Sequence, residues 1–368
     1  MHILASQTRR IDDGGDAVDL GQSPADILFL SAADTELGSF AAAQSRLGTA
    51  RADLRLANLM ALSHPYSVDL YAEQTVRGSR LIVLRILGGV EYWRYGLERF
   101  EEEVRANGID LIVIPGDDKW DEELTSRSTR SAAEVHRFWR YCVEGGAENY
   151  ANALRYAAHM IGKGEEPAHP VPLPRAGIYL AGKAAPDIAQ LKASWRDPER
   201  PVAAITFYRA LVQGAQTAPL DALIAALDKA GVNALPIYVS SLKEAESVAV
   251  LESLFDEAPP DVVLNGTAFA VSKAGAAHQP TPLDRPGKPV LQVVFSSSSK
   301  EGWEDSDQGL SIRDLAMHVV LPEIDGRILT RAVSFKEEGV FDEATQSTPV
   351  AFTPVPDRIV FTAALAAA

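Results

Sequence analysis

Residues Leu84–Phe100 read LRILGGVEYWRYGLERF, an apolar run broken at Gly88–Gly89 and followed at once by Glu91, Tyr92, Trp93, Arg94 and Tyr95. Glycines at such a break let a ligand approach the backbone, and free amides at a helix start bind a carboxylate or amide oxygen. The rings and charges beside them suit the grip of a small polar molecule. Trp93, Leu97, Phe100 and Val104 recur at helical spacing, which predicts an apolar stripe facing a sheet. Glu91, Tyr92, Arg94 and Tyr95 lie off that stripe.

Other stretches have the same make-up: SAADTEL at Ser31–Leu37, FYR at Phe207–Arg209, SSLK at Ser240–Lys243, NGTAF at Asn265–Phe269 and SSSSKEGW at Ser296–Trp303. Taken singly, each reads as a capped turn. Converging on one edge of a sheet, they would form a ligand crevice. Tyr208, Arg209, Ser240, Lys243, Asn265 and Thr267 then become candidate contacts for amide or carboxylate groups, against the plainer reading of turn chemistry and packing between domains.

Several familiar signatures fail. GIYLAGKA, Gly177 to Ala184, has phosphate-loop spacing but ends in Ala where a magnesium-binding hydroxyl is needed. SSSK at Ser297–Lys300 and SSLK at Ser240–Lys243 match serine-acylase spacing without companion motifs, and no G-x-S-x-G elbow occurs. None of the seven histidines recurs in a local zinc pattern. PGDDKWDEEL gathers Asp117, Asp118, Asp121, Glu122 and Glu123, which reads as a helix N-terminus or as a divalent-metal site using Asp117 and Asp118.

The elements that must position these residues are short apolar runs alternating with helical segments. Strands are expected at His2–Ser6, Asp26–Leu30, Leu81–Leu87, Asp110–Pro115, Gly177–Leu180, Val202–Tyr208, Ala234–Val239, Asp261–Leu264 and Val290–Phe295. That alternation implies α/β architecture: two doubly wound, mostly parallel-sheet domains. Four prolines and two glycines in GKGEEPAHPVPLP predict a linker at 163–174, between an N-terminal domain at 1–162 and a second at 175–333. An irregular tail is expected at 334–368. It ends in RIVFTAALAAA, which reads as the start of a strand and helix with nothing to pack on.

Over 368 residues, 46% hydrophobic and 23% charged composition describes a folded chain. A net charge of -15 without a long basic block argues against nucleic acid. Cys142, the only cysteine, excludes an intrachain disulfide and a cysteine zinc cluster, as suits a reducing cytoplasm. No signal-like segment and no run of about 18 apolar residues is present, so a soluble, unexported protein is expected, without membrane association.

The blocks SPADILFLSAADTEL, HPYSVDLYAEQT, LRILGGVEYWRYGLE, FYRALVQG, LPIYVSSLKE, LNGTAFA and LPEIDGRILTRAVSFK together resemble the N-terminal part of the CobN and magnesium chelatase large-subunit family. The resemblance runs along the whole chain. It implies a ligase-class metal chelatase whose large subunit holds a tetrapyrrole while Co2+, the substrate metal, is inserted into hydrogenobyrinic acid a,c-diamide. ATP and Mg2+ would be used by AAA+ partners, CobS and CobT. The tail would lead into a missing chelatase body, and the fragment alone would be inactive. On this reading Glu91, Tyr92 and Tyr95 are macrocycle contacts, and Asp34, His64 and Glu91 are candidates for handling the metal or protons. For His64, beside Pro65, an ordinary turn role competes; for Asp34, a helix cap. The alternatives are a magnesium chelatase large subunit acting on protoporphyrin IX, and a non-catalytic α/β scaffold or docking module.

Overall fold

The computed structural model describes residues 17–48, 51–183, 185–273, 275, 280–307 and 309–368, so the strand expected at His2–Ser6 lies outside the described residues. The chain divides into two compact units. One runs to Pro172 and includes Gln213–Ala215 and Glu338–Val350; the other comprises Leu173–Val212, Gln216–Glu337 and Ala351–Ala368.

The first unit is built on β1 (Ile27–Ser31), β2 (Leu54–Asn58), β3 (Leu81–Ile86) and β4 (Asp110–Pro115), a parallel sheet in the order β2-β1-β3-β4. Side chains of a strand alternate between faces, so β1 sends Ile27 and Phe29 into one core and Leu28 and Leu30 into the other. Burial on both faces explains why these strands read as unbroken apolar runs. Helices Asp34–Arg46, Ala132–Glu144 and Ala147–Met160 cover one face, and Pro65–Gln74 and Arg94–Asn107 cover the other. Helix Ala132–Glu144 starts on a reciprocal cap between Ser131 and Glu134.

The expected stripe Trp93, Leu97, Phe100 and Val104 is buried. Trp93 ends a single 3-10 turn, Val90–Trp93, and its indole N–H donates to Leu62 O at 2.9 Å. Strand β2 was not anticipated, because it is an edge strand whose Arg55 reaches outward to Ser23 and breaks the apolar run.

The second unit holds β5 (Ala176–Ile178), β6 (Val202–Tyr208), β7 (Asn233–Val239), β8 (Val262–Asn265), β9 (Val290–Phe295), β10 (Ile328–Glu338) and β11 (Val350–Pro354). The order is β11-β10-β9-β8-β6-β7-β5, with β5 antiparallel to β7 at one edge. Two cores again flank the sheet.

The irregular tail expected from 334 onward is corrected here. β10 and β11 extend the sheet, and Pro356–Ala367 is a helix whose Ile359 and Ala363 enter the core beside helix Ala218–Lys229. Strands at a sheet edge have a weaker apolar pattern, and the helix partner lies far away in sequence, which hid both.

Two outcomes test this packing. A Cβ on Gly96 would stand 2.1 Å from the Trp93 ring. Overpacking of about 1–3 kcal/mol then outweighs a helix-propensity gain of at most ~1 kcal/mol, so Gly96→Ala lowers the thermal midpoint in calorimetry. Glu103 accepts from Arg77 Nε at 2.9 Å and pairs with Arg99 at 2.7 Å. The hydrogen bond from Arg77, then Arg99, holds its carboxyl down to about 2 against the opposing effect of burial. A depressed folded-state value means stability is present above the ordinary carboxylate range, about 4.5, and is lost as pH falls toward 2. Urea titrations at stepped pH should show a shallower acid loss for Glu103→Gln.

Candidate functional site

In an open parallel sheet, ligands bind beyond the strand carboxyl ends where strand order reverses. Here those points fall between β1 and β3, and between β6 and β8.

At the first point, Gly88 and Gly89 have φ of 88° and 80°, a conformation glycine adopts freely. Tyr92, half-buried, folds back beneath Gly88, and its hydroxyl lies 3.6 Å from the Met60 sulfur. Burial raises the Tyr92 phenol above its usual value. Tyr95 donates to Asp69 at 2.9 Å, and burial, then that carboxylate, raises its phenol as well. Glu91 is exposed and pairs with Arg94.

Asp34 accepts from the Asn58 amide. His64 caps helix Pro65–Gln74: its Nδ1 accepts from Tyr66 N at 3.1 Å. Asp117 accepts from Lys119 N at 3.1 Å within its own turn, Asp118 is exposed, and Asp121 caps the helical turn that follows. Asp34, His64, Glu91, Tyr92 and Asp117 therefore follow the four strands at one edge of the sheet. Among the described residues, no three His, Cys, Asp or Glu side chains are grouped to hold a metal.

Beneath this edge lies a pair that sequence reasoning missed. Glu36 accepts from Arg85 Nε at 2.7 Å and from Ser31 Oγ at 2.7 Å, all within the core. Burial pushes the Glu36 carboxyl up while Arg85 pulls it down. Arg85 Nη1 has no hydrogen-bond partner among the described residues. The only sequence signal was an arginine inside LIVLRI.

At the second point, a cavity of about 110 Å³ is lined by Tyr208, Ser241, Leu242, Lys243, Thr267 and Phe269 together with the adjoining backbone. Three of the expected contact residues, Tyr208, Lys243 and Thr267, thus meet. The Tyr208 hydroxyl donates to Ala268 O at 2.8 Å, and burial raises its phenol to about 12. Lys243 is exposed at the cavity wall.

Asn265 stands behind the wall, donating to Gln292 Oε1 at 2.7 Å and accepting from the Thr267 hydroxyl at 2.8 Å. Arg209 and Ser240 are turned elsewhere: Arg209 donates to the carbonyls of Leu173 and Pro174, and Ser240 to that of Arg175. The phosphate-loop look-alike is excluded as a cradle by its start, since Gly177 is a residue of β5.

The cavity loop is pinned from below. Phe269 has φ of 67°, a strained value for a residue with a side chain, and its N–H donates to Met317 O at 2.9 Å. Asp325 accepts from Val271 N at 2.7 Å and Ser272 N at 2.9 Å, and pairs with Arg327 at 2.9 Å. Burial opposes ionisation of Asp325, but those two amides and Arg327 hold its carboxyl below the usual range. Arg327 also reaches Phe269 O at 3.4 Å. Asp325 and Arg327 therefore act as a local pair that fixes this turn.

A second missed cluster follows β9. Asp314 accepts from the hydroxyls of Ser296, Ser297 and Ser298 at 2.7, 2.9 and 2.9 Å. The SSSS run was visible in the sequence; its carboxylate partner was not.

Two units of open, mostly parallel sheet, the second with a polar cavity at its reversal point, define an α/β protein. Residues 139–368 match the CobN/Magnesium Chelatase family model, and the chain belongs to that family. It is 49% identical over 373 residues to the aerobic cobaltochelatase subunit CobN of Sinorhizobium sp, covering 100% of this chain and 29% of that protein. It is 38% identical to the subunit of the same name from Pseudomonas aeruginosa, again over 100% of this chain and 29% of the relative. The solved catalytic subunit of cobaltochelatase from Mycobacterium tuberculosis aligns with a TM-score of 0.71 and 28% identity, over 93% of this chain and 27% of that one. The chain thus spans less than a third of the length of these relatives. Among the described residues, no helix is long and apolar enough to cross a membrane.

Removing the Asp325 charge leaves Arg327 buried and unpaired, which costs about 3–5 kcal/mol. Asp325→Asn should therefore lower the denaturation midpoint sharply, and Asp325→Asn with Arg327→Met should recover much of the loss. Equal instability of both variants would show that the ion pair is not what pins the loop.

Proposed function

We propose that this chain is the N-terminal part of the large subunit of an aerobic cobaltochelatase. That subunit holds hydrogenobyrinic acid a,c-diamide while Co2+, the substrate metal, is inserted during cobalamin biosynthesis. ATP is hydrolysed by separate AAA+ subunits of the CobS and CobT type. The observation that carries this reading is the 49% identity maintained along the whole chain to a subunit of that name. The missing phosphate-loop hydroxyl agrees with a division of labour in which this chain does not bind ATP.

Insertion requires that the macrocycle be held while Co2+ sheds water and the ring N–H protons leave to a base. A cavity of about 110 Å³ is too small for the ring, since whole-ligand pockets run to roughly 300–1,000 Å³. It is large enough for one acetamide or carboxylate arm. Lys243 supplies charge to such an arm and Tyr208 and Thr267 line its slot, with Asn265 bracing the wall through Thr267. At the edge of the first sheet, Tyr92 and Tyr95 supply ring contacts. In this proposal Asp34, His64 and Glu91 take the protons, and His64, Asp117 and Asp118 pass on the metal.

Absorbance titration of the chain with hydrogenobyrinic acid a,c-diamide tests this assignment. Saturable binding is expected, weakened about tenfold by Lys243→Gln, the scale of one lost charge-assisted contact. Tyr92→Ala with Tyr95→Ala should weaken it as well. Binding that ignores all three substitutions would remove both clefts from the tetrapyrrole site.

A further inference from the structure

Neither site above includes a further groove in the first unit, of about 520 Å³. His136, Arg137, Arg140, Tyr156, His169 and Glu134 line it. In a chain of net charge -15, a groove with two arginines, two histidines and one carboxylate is a local reversal of sign. That carboxylate is already engaged, because Glu134 pairs with Arg130 and caps at Ser131.

Arg137 is held by several contacts. Arg137, with only 10% of its side chain exposed, stacks over the Tyr156 ring at 4.3 Å and donates to Pro167 O at 2.6 Å. Its outer nitrogen meets Glu166, whose side chain is 56% exposed. Arg137 holds the Glu166 carboxyl below its usual range. A pair so exposed on its acidic side is worth little, so another carboxylate exchanges for Glu166 at small cost. Arg140 lies one helical turn further along the same face of helix Ala132–Glu144. It pairs with Glu144 through one nitrogen, and its Nε is buried with no hydrogen-bond partner among the described residues.

We infer that this groove is a binding site for a ligand carrying two or more carboxylates, which displaces Glu166 from Arg137 and engages Arg140. Planar guanidinium groups favour carboxylates through paired, charge-assisted hydrogen bonds. A small polyacid and an acidic peptide share this chemistry. The inference does not depend on the proposed function.

Calorimetric titration of the metal-free 368-residue chain with citrate and with hexaglutamate tests it. Trp120 fluorescence provides a second readout, its ring centroid being 5.1 Å from that of His136. Saturable binding that weakens with added salt is expected for at least one probe, and the tighter of the two identifies the source. Arg140→Gln should weaken binding about tenfold or more. Glu166→Gln should tighten it severalfold, since it removes the internal competitor. Arg140→Lys, which keeps the charge but loses the planar fork, should fall between wild type and Arg140→Gln. No saturable binding of either probe, or affinities that Glu166→Gln and both Arg140 variants leave unchanged, would overturn the proposal.

Discussion

A parallel sheet covered on both faces has nowhere to keep polarity except at its strand ends, and this constraint governs both units. Along β1, β3, β6 and β8 the side chains enter one apolar core or the other. Polar groups appear in the last residues of these strands, at Ser31, Arg85, Thr206, Tyr208 and Asn265. Because the strands run in the same direction, these groups gather on one edge. The sheet thereby builds its clefts as a by-product of burying its faces.

Polar groups held at such an edge need partners, and the partners shape the loops. Arg85 is held by Glu36 and by the Gly116 carbonyl, and Ser31 in turn donates to Glu36. Asp325 and Arg327 fix the loop that carries Phe269 in an unfavourable backbone conformation. Asp314 collects the serines after β9. Buried pairs of this kind gain little net stability over apolar replacements, so their evident effect here is to select one loop geometry among several. A cleft lined by exposed Lys243 and buried, hydrogen-bonded Thr267 depends on that selection.

Much of this was legible in the residues themselves. The stripe Trp93, Leu97, Phe100 and Val104 fixed the face of its helix, and the apolar runs located β3, β4, β6 and β9 closely. Tyr208, Lys243 and Thr267 were readable as one cleft because each follows a strand, and parallel strands end together. Edge elements were harder to read. Leu54–Asn58 carries an outward arginine, β11 is an edge strand with β10 next to it, and the last helix has its partner more than a hundred residues away.

The sequence by itself determined the α/β alternation, the helix faces, the lack of a phosphate loop and the family, since these depend on local spacing and on the order of blocks along the chain. Only the tertiary structure decided that His64 is a cap, that Arg209 and Ser240 turn away from the cleft, and that Asp314 gathers three serine hydroxyls. It also revealed the groove of Arg137 and Arg140. The physical reason is the same in each case. Hydrogen bonds and charges are satisfied by whatever lies within about 3 Å in space, and sequence separation does not record that distance.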